Sequence, residues 1–241
     1  MPRTVLKKKP FVVLLQLRNK FLTKMPLQEY IITEPHGRLG IWYITEDENF
    51  FLEKLPLSDT ERAEIETTTG RKKLEKLAGK MLLQQLTGWT FLIIKNENGK
   101  PFFKDSNLHI SLSHSGDYVA GIVSDHVVGI DIQYLTDKVE RVAWRVMNEV
   151  KFKSLDPNNR LEHLHVYWGA KEALFKTYGH KAMDFRKHLV VTPFAYMPND
   201  HSLAMKITEG SIEKDKRLHW FDIYYQKIKN YILVYAIEKT D

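Results

Sequence analysis

The chain holds 241 residues, 43% of them hydrophobic and 27% charged, a globular balance that argues against intrinsic disorder and leaves room for one large domain or two small ones. It has no cysteine, which removes disulfides, thiolate zinc sites, iron–sulfur clusters and cysteine nucleophiles together and fits a cytoplasmic chain. No apolar run approaches the roughly 20 residues that cross a bilayer, so a membrane role is not expected.

The formal net charge is +6, but residues 1–24 alone carry Arg3, Lys7, Lys8, Lys9, Arg18, Lys20 and Lys24 and no acid. The rest of the chain is therefore near neutral, and no nucleic-acid partner is expected of it. The apolar stretch Phe11 to Leu15 is too short for a secretory signal. Residues 1–30 read as a poorly ordered extension, with Met25 opening a segment that resembles a natural start.

In chain order, residues 40–46 read as a strand. Ser58 and Glu61 have capping-box spacing at a helix start. Leu74, Leu77, Ala78, Met81, Leu82 and Leu86 recur at helical spacing over residues 71–86, with Gly88 placed to end the helix. Strands follow over 91–95, 108–112 and 118–123, the first two separated by the turn cluster Asn96 to Gly99. The order then recurs: a strand over 127–133, helices near 137–153 and 160–178, and strands near 188–193, 203–207, 218–225 and 230–237. These expectations give an α+β fold of two similar subdomains in pseudo-twofold arrangement. The subdomains span 31–126 and 127–241, with a seam near Asp125 and His126 and a ligand cleft between them.

Four clusters carry chemistry. Gly99-Lys100-Pro101 sets a positive charge on a loop whose exit Pro101 stiffens; alone it also reads as a surface turn. Ser111 to Gly116 ends a strand with hydroxyls and an imidazole that suit phosphate oxygens. Along Gly129-Ile130-Asp131-Ile132-Gln133 the isoleucines face one side and Asp131 and Gln133 the other. An acid on such a strand needs a positive partner, and Mg²⁺ would suit it. On a helix, Trp168, Glu172 and Lys176 fall along one stripe, so Glu172 can add a second oxygen to a metal on Asp131. The same residues are also compatible with an ordinary Glu–Lys pair. No nucleophile elbow, Walker loop, dinucleotide fingerprint or zinc-protease motif is present.

In this order the four clusters resemble the 4′-phosphopantetheinyl transferases of the larger, surfactin-synthetase-activator type. There a Gly-Lys-Pro loop, a Ser-His-Ser strand end, a Gly-Ile-Asp-Ile-Glu strand and a Trp-x-x-Lys-Glu-x-x-x-Lys helix recur. The resemblance implies a transferase of the holo-acyl-carrier-protein synthase kind, Mg²⁺-dependent. It would move the phosphopantetheine arm of coenzyme A onto a serine of an apo acyl or peptidyl carrier protein, in fatty-acid or secondary metabolism, releasing adenosine 3′,5′-bisphosphate. By matching position, Asp131 and Glu172 would ligate the metal. Lys100, Pro101, Ser113 and His114 would hold the nucleotide end. Lys176 would contact the diphosphate, and Asp131, Glu172 and Lys176 would form the catalytic set. Both halves of the site lie in one chain, so a monomer is expected.

Two departures stand out. Gln133 replaces the family's second strand acid, and Arg145 to Glu149 only approximates the family's Phe-Ser-x-x-Glu segment. Arg62, Arg71, Lys73 and Lys76 are further candidates for phosphate contacts, and Lys171 either meets the diphosphate or lies on the surface. The alternative reading is a coenzyme A- or carrier-binding module without catalysis.

Overall fold

The structure is a computed structural model; it describes residues 27–33, 37–147, 152–178, 183–198, 205–214 and 217–239. The basic segment 1–24, Glu149 and the glycine at 179 lie outside these residues.

The first half comprises β1 (Leu27–Thr33), β2 (Gly37–Tyr43), α1 (Glu48–Lys54), α2 (Asp59–Glu66), α3 (Arg71–Thr87), β3 (Ile93–Lys95), β4 (Pro101–Phe103), β5 (His109–Ser115) and β6 (Tyr118–Ser124). The second comprises β7 (Val128–Tyr134), α4 (Lys138–Val146), α5 (Arg160–Tyr178), β8 (Leu189–Val191), β9 (Thr208–Lys214), β10 (Arg217–Ile228) and β11 (Tyr231–Glu238). One sheet runs β1-β2-β6-β5 and the other β7-β11-β10-β9-β8. In each half the strand before the helices pairs with the last strand, which pairs with the one preceding it. This shared order is the pseudo-twofold α+β arrangement. Among the described residues no helix is long and apolar enough to cross a membrane.

Local chemistry explains the element boundaries. Ser58 Oγ accepts from Glu61 N at 3.3 Å while Glu61 Oε2 accepts from Ser58 N at 3.0 Å, closing the capping box of α2. Glu61 also holds Lys80 of α3 at 2.5 Å, tying the two helices together. Gly88 ends α3 in the left-handed region at φ 73°. Of the strand expected near 203–207, residues 203–204 lie outside the described residues and 205–207 are not strand; β9 runs over Thr208–Lys214, where the sequence TEGSIEK has weak strand propensity and pairing with β10 from Thr208↔Ile223 to Lys214↔Arg217 imposes the conformation.

Alternation along the strands builds three cores. Leu39 and Ile41 of β2, Ala120 and Ile122 of β6, Val128, Ile130 and Ile132 of β7, and Leu233, Tyr235 and Ile237 of β11 meet between the two sheets. The opposite face of the first sheet packs on α3 through Trp42, Leu77, Leu82, Leu86 and Val119. The opposite face of the second packs on α5 through Leu164, Ala170, Leu174, Ile223 and Val234. The order of layers is thus helices, sheet, sheet, helices, and α5 is covered on almost every side.

His163 of α5 lies in this third core, 0% exposed and stacked on Tyr167. Its Nδ1 accepts from Asp156 N at 3.1 Å, and Nε2 has no partner among the described residues. Burial pushes its pKa down from 6.5 to about 4, only partly opposed by Asp156. Between these values the unfolded chain binds the proton and the folded chain does not, so stability is lost as pH falls from 6.5 toward 4. The shift corresponds to about 3 kcal/mol. Urea unfolding at a series of pH values is expected to show that slope in the wild type and a flatter one in His163→Phe; equal slopes would count against it.

Candidate active site

The site is built where the edge of one sheet meets the edge of the other. Strand β7 presents Ile130 and Ile132 to the inter-sheet core and Asp131 and Gln133 to α5, as the alternation predicts. Asp131 is nearly buried, 8% exposed. Its charge is met from two sides. Lys176 Nζ of α5 donates to Oδ1 at 2.8 Å, and Ser113 Oγ of β5 donates to the same oxygen at 3.0 Å. Gln133 Nε2 donates to Oδ2 at 3.1 Å. Lys176 also donates to Ile130 O at 2.9 Å and to Ser113 Oγ at 2.8 Å.

Glu172 stands one helical turn before Lys176. Burial pushes its carboxyl up to about 7, the Asp131 carboxylate adds to the rise and Lys176 opposes it. Two carboxyls that resist shared ionisation and one ammonium form a pocket of alternating charge suited to a divalent cation and a diphosphate. Among the described residues no group of three or more His, Asp or Glu side chains has metal-binding geometry. Asp131 and Glu172 could hold a cation with two carboxyl groups, the oxygen chemistry that suits Mg²⁺, an ion that retains waters and takes further oxygens from phosphate.

Gln133 is held firmly. Its Oε1 faces His165 Nδ1 at 3.0 Å, and its Nε2 also donates to His165 O at 3.2 Å. Burial, the largest cause, keeps His165 below its ordinary pKa. On the other side of the ring Nε2 lies 3.0 Å from both the N–H and the carbonyl oxygen of Thr136, so both ring nitrogens are engaged. In this arrangement the amide braces Asp131.

Lys100 and Pro101 border a cleft of about 320 Å³ beside this centre, walled by Ile110, Leu112, Phe175 and Lys176. On its other side Lys100 borders a second cleft of about 310 Å³ with His109, Tyr178, His219 and Phe221. Lys100 Nζ donates to Thr177 O in the last turn of α5, where a cation is favourable. His114 points to the opposite face of β5 from Ser113, with Nδ1 3.1 Å from Glu75 Oε2. Arg71 reaches the same Glu75 at 3.8 Å and Asp117 at 2.9 Å. Of the basic candidates, Arg71 therefore joins the His114 cluster, whereas Lys73 pairs with Glu48 at 2.7 Å and Lys76 donates to Thr68 Oγ1 at 2.7 Å.

Asp131, Glu172, Lys176 and Ser113 are thus brought together, with Lys100 and Pro101 on the adjoining cleft and His114 across the strand. Lys171 takes neither expected role. It is 0% exposed, and its Nζ donates to Leu189 O at 2.7 Å and to Phe185 O, fastening the segment before β8 to α5. The bracing roles of Gln133 and His165 are absent from the sequence reading; their only trace there is a neutral residue at a position where the motif carries an acid.

Residues 127–236 match the family model described as the 4′-phosphopantetheinyl transferase superfamily. A 4′-phosphopantetheinyl transferase gsp of Aneurinibacillus migulanus is 33% identical over 110 residues, 44% of this chain and 46% of that protein. A 4′-phosphopantetheinyl transferase psf-1 of Bacillus pumilus is 37% identical over 86 residues, 34% of this chain and 37% of that protein. A 4′-phosphopantetheinyl transferase AcpT of Escherichia coli (strain K12) is 33% identical over 123 residues, 47% of this chain and 62% of that protein. The matched stretches span from about a third to under two thirds of these relatives' lengths. The resemblance read from the motifs is borne out over the second half: residues 127–236, with Asp131, Glu172 and Lys176 inside them, match the 4′-phosphopantetheinyl transferase superfamily and similar stretches of these transferases.

Proposed function

We propose that the chain transfers the phosphopantetheine arm of coenzyme A to a serine of an acyl or peptidyl carrier protein. The observation that carries this reading is the convergence of Asp131, Glu172 and Lys176 at the junction of the halves, within a stretch that matches the superfamily. In the reaction the carrier serine oxygen bonds to the phosphorus bearing pantetheine. The bond from that phosphorus to the bridging oxygen breaks, and adenosine 3′,5′-bisphosphate leaves with the electron pair.

Each residue has a role that charge and position can supply. Lys176 neutralises charge that grows on the diphosphate. Glu172, whose pKa is pushed up to about 7, takes the serine proton in its ionised form, which a pKa near neutral pH leaves available. Lys100 and Pro101 hold the nucleotide end along the cleft they border, and Arg71 offers positive charge on the far side of β5, where His114 adds an imidazole. Mg²⁺, held by Asp131 and Glu172, would neutralise the diphosphate and polarise the attacked phosphorus. Both halves supply groups to one centre, so a single chain suffices for it.

The test incubates the protein with apo carriers, coenzyme A and Mg²⁺ and reads carrier mass. A gain of one phosphopantetheine that needs Mg²⁺ is the expected result. Gln133 at the family's acid position favours a second reading, a coenzyme A-binding module without catalysis. Coenzyme A bound in calorimetry with no mass gain on any carrier would establish that reading and end the first.

A further inference from the structure

Three serines alternate along β5, and their hydroxyls meet the free edge of β7. Ser111 Oγ accepts from Ile130 N at 3.1 Å, Ser113 Oγ from Ile132 N at 3.2 Å and Ser115 Oγ from Tyr134 N at 3.0 Å. The constant offset means the two strands run side by side, with serine side chains in place of the backbone carbonyls that would continue a sheet. An edge strand otherwise presents unpaired N–H groups; here the comb of hydroxyls satisfies three of them and fastens one half of the molecule to the other.

The middle serine does more than its neighbours. A hydroxyl has one hydrogen to donate and two lone pairs. Ser113 gives its hydrogen to Asp131 Oδ1 and receives both Ile132 N–H and the Lys176 ammonium. Its capacity is filled, and it is 6% exposed. Asp131 and Lys176 belong to the second half, so a first-half residue fixes the spacing of the ion pair on which the transferase reading rests.

We infer that Ser113 is a positioning residue: it holds the Asp131 carboxylate and the Lys176 ammonium in register across the junction of the halves. This rests on the proposed transferase activity for its kinetic consequence but not for its physical one. A side chain held by three oxygens reacts slowly, so the accessibility of the Lys176 amine reports the same geometry with no carrier or coenzyme A present.

The experiment compares wild type with Ser113→Ala, Ser113→Thr and Ser115→Ala. Ser115→Ala loses one tooth of the comb without touching Asp131. Acetic anhydride labelling, mapped by peptide mass spectrometry, is expected to modify Lys176 at least about threefold faster in Ser113→Ala, with the other two within about twofold of wild type. In carrier loading, kcat of Ser113→Ala is expected to fall about tenfold while its KM for coenzyme A stays within about twofold. Ser113→Thr should restore kcat. If Ser113→Ala does not fold, Ser113→Cys, a weaker hydrogen-bonding group of similar shape, carries the same comparison. Unchanged Lys176 labelling in the alanine or cysteine variant would overturn the inference. So would a KM for coenzyme A that rises while kcat holds, the behaviour of a phosphate ligand. A wild type that loads no carrier would sink the transferase reading alone, since the labelling still decides Ser113.

Discussion

Asp131→Asn is expected to lower the rate of carrier loading by about 10²–10³-fold, the range seen when one preorganised electrostatic contact at developing charge is removed. The substitution keeps the shape and removes the charge, and the surroundings prevent an easy repair. Lys176 and Ser113 both present hydrogens to Oδ1, and Gln133 presents one to Oδ2. An asparagine carbonyl can serve one side only. If it faces Lys176, its amide meets the Gln133 amide, donor to donor. Gln133 cannot simply flip, because His165 Nδ1 holds its oxygen. One buried hydrogen bond is therefore lost, costing about 1–3 kcal/mol of stability, and the two carboxyl groups proposed to hold the cation are reduced to one. Carrier mass against time, with circular dichroism as the check on folding, measures both. A folded Asp131→Asn protein that loads carriers at the wild-type rate would remove Asp131 from the reaction and with it the proposed cation site.

The parts of this site that the sequence discloses are those set by local rules. The period-two pattern of Gly129 to Gln133 puts the acid and the isoleucines on opposite faces whatever else the chain does, and β7 obeys it. The i, i+4 spacing of Glu172 and Lys176 places them on one stripe of α5 for the same reason. Ser58 and Glu61 announce α2 because both halves of a capping box lie within four residues.

What stayed hidden depends on partners distant in sequence. Lys171 reads as a surface or substrate lysine until Phe185 and Leu189 come round to accept its ammonium. The serine comb is visible as S-x-S-x-S, yet nothing local says that an unpaired edge of β7 lies opposite. The short helix α1 and the strands β1 and β4 carry little periodicity of their own. β4 exists by pairing with β3, β1 by pairing with β2, and β1 begins at Leu27 within the segment read as extension. Burial and pairing decide these elements, and both are properties of the assembled chain.

Gly129→Ala is expected to be the most damaging single-methyl change in the second half. A Cβ built at Gly129 would stand 1.9 Å from Ala173 O and 2.8 Å from Ala173 C, with Thr177 Cγ2 at 3.0 Å. The obstacle is helix backbone, so no rotamer change relieves it, and strand or helix must move by more than about 1 Å. Neither is free to do so. β7 is paired to β11 from Val128↔Ile237 to Tyr134↔Tyr231. α5 is pressed on the same sheet at Gly169, where a Cβ would meet Val234 Cγ2 at 2.6 Å, and Lys171 fastens its other side. The expected cost is about 3 kcal/mol or more, in the range reserved for overpacking against an unyielding core. Gly79→Ala in α3 is the matched control. Its Cβ would meet side chains alone, Leu112 at 3.3 Å and Val119 Cγ1 at 3.9 Å, and helix propensity favours alanine by about 1 kcal/mol, so its urea midpoint should stay near wild type. Gly129 also sets the gap between the strand that carries Asp131 and the helix that carries Glu172 and Lys176. Any Gly129→Ala protein that survives at low temperature should therefore load carriers more slowly than its folded fraction accounts for. A Gly129→Ala variant with wild-type midpoint and rate would mean that strand and helix do not approach this closely, and that the carboxylates and the lysine are not held as one centre.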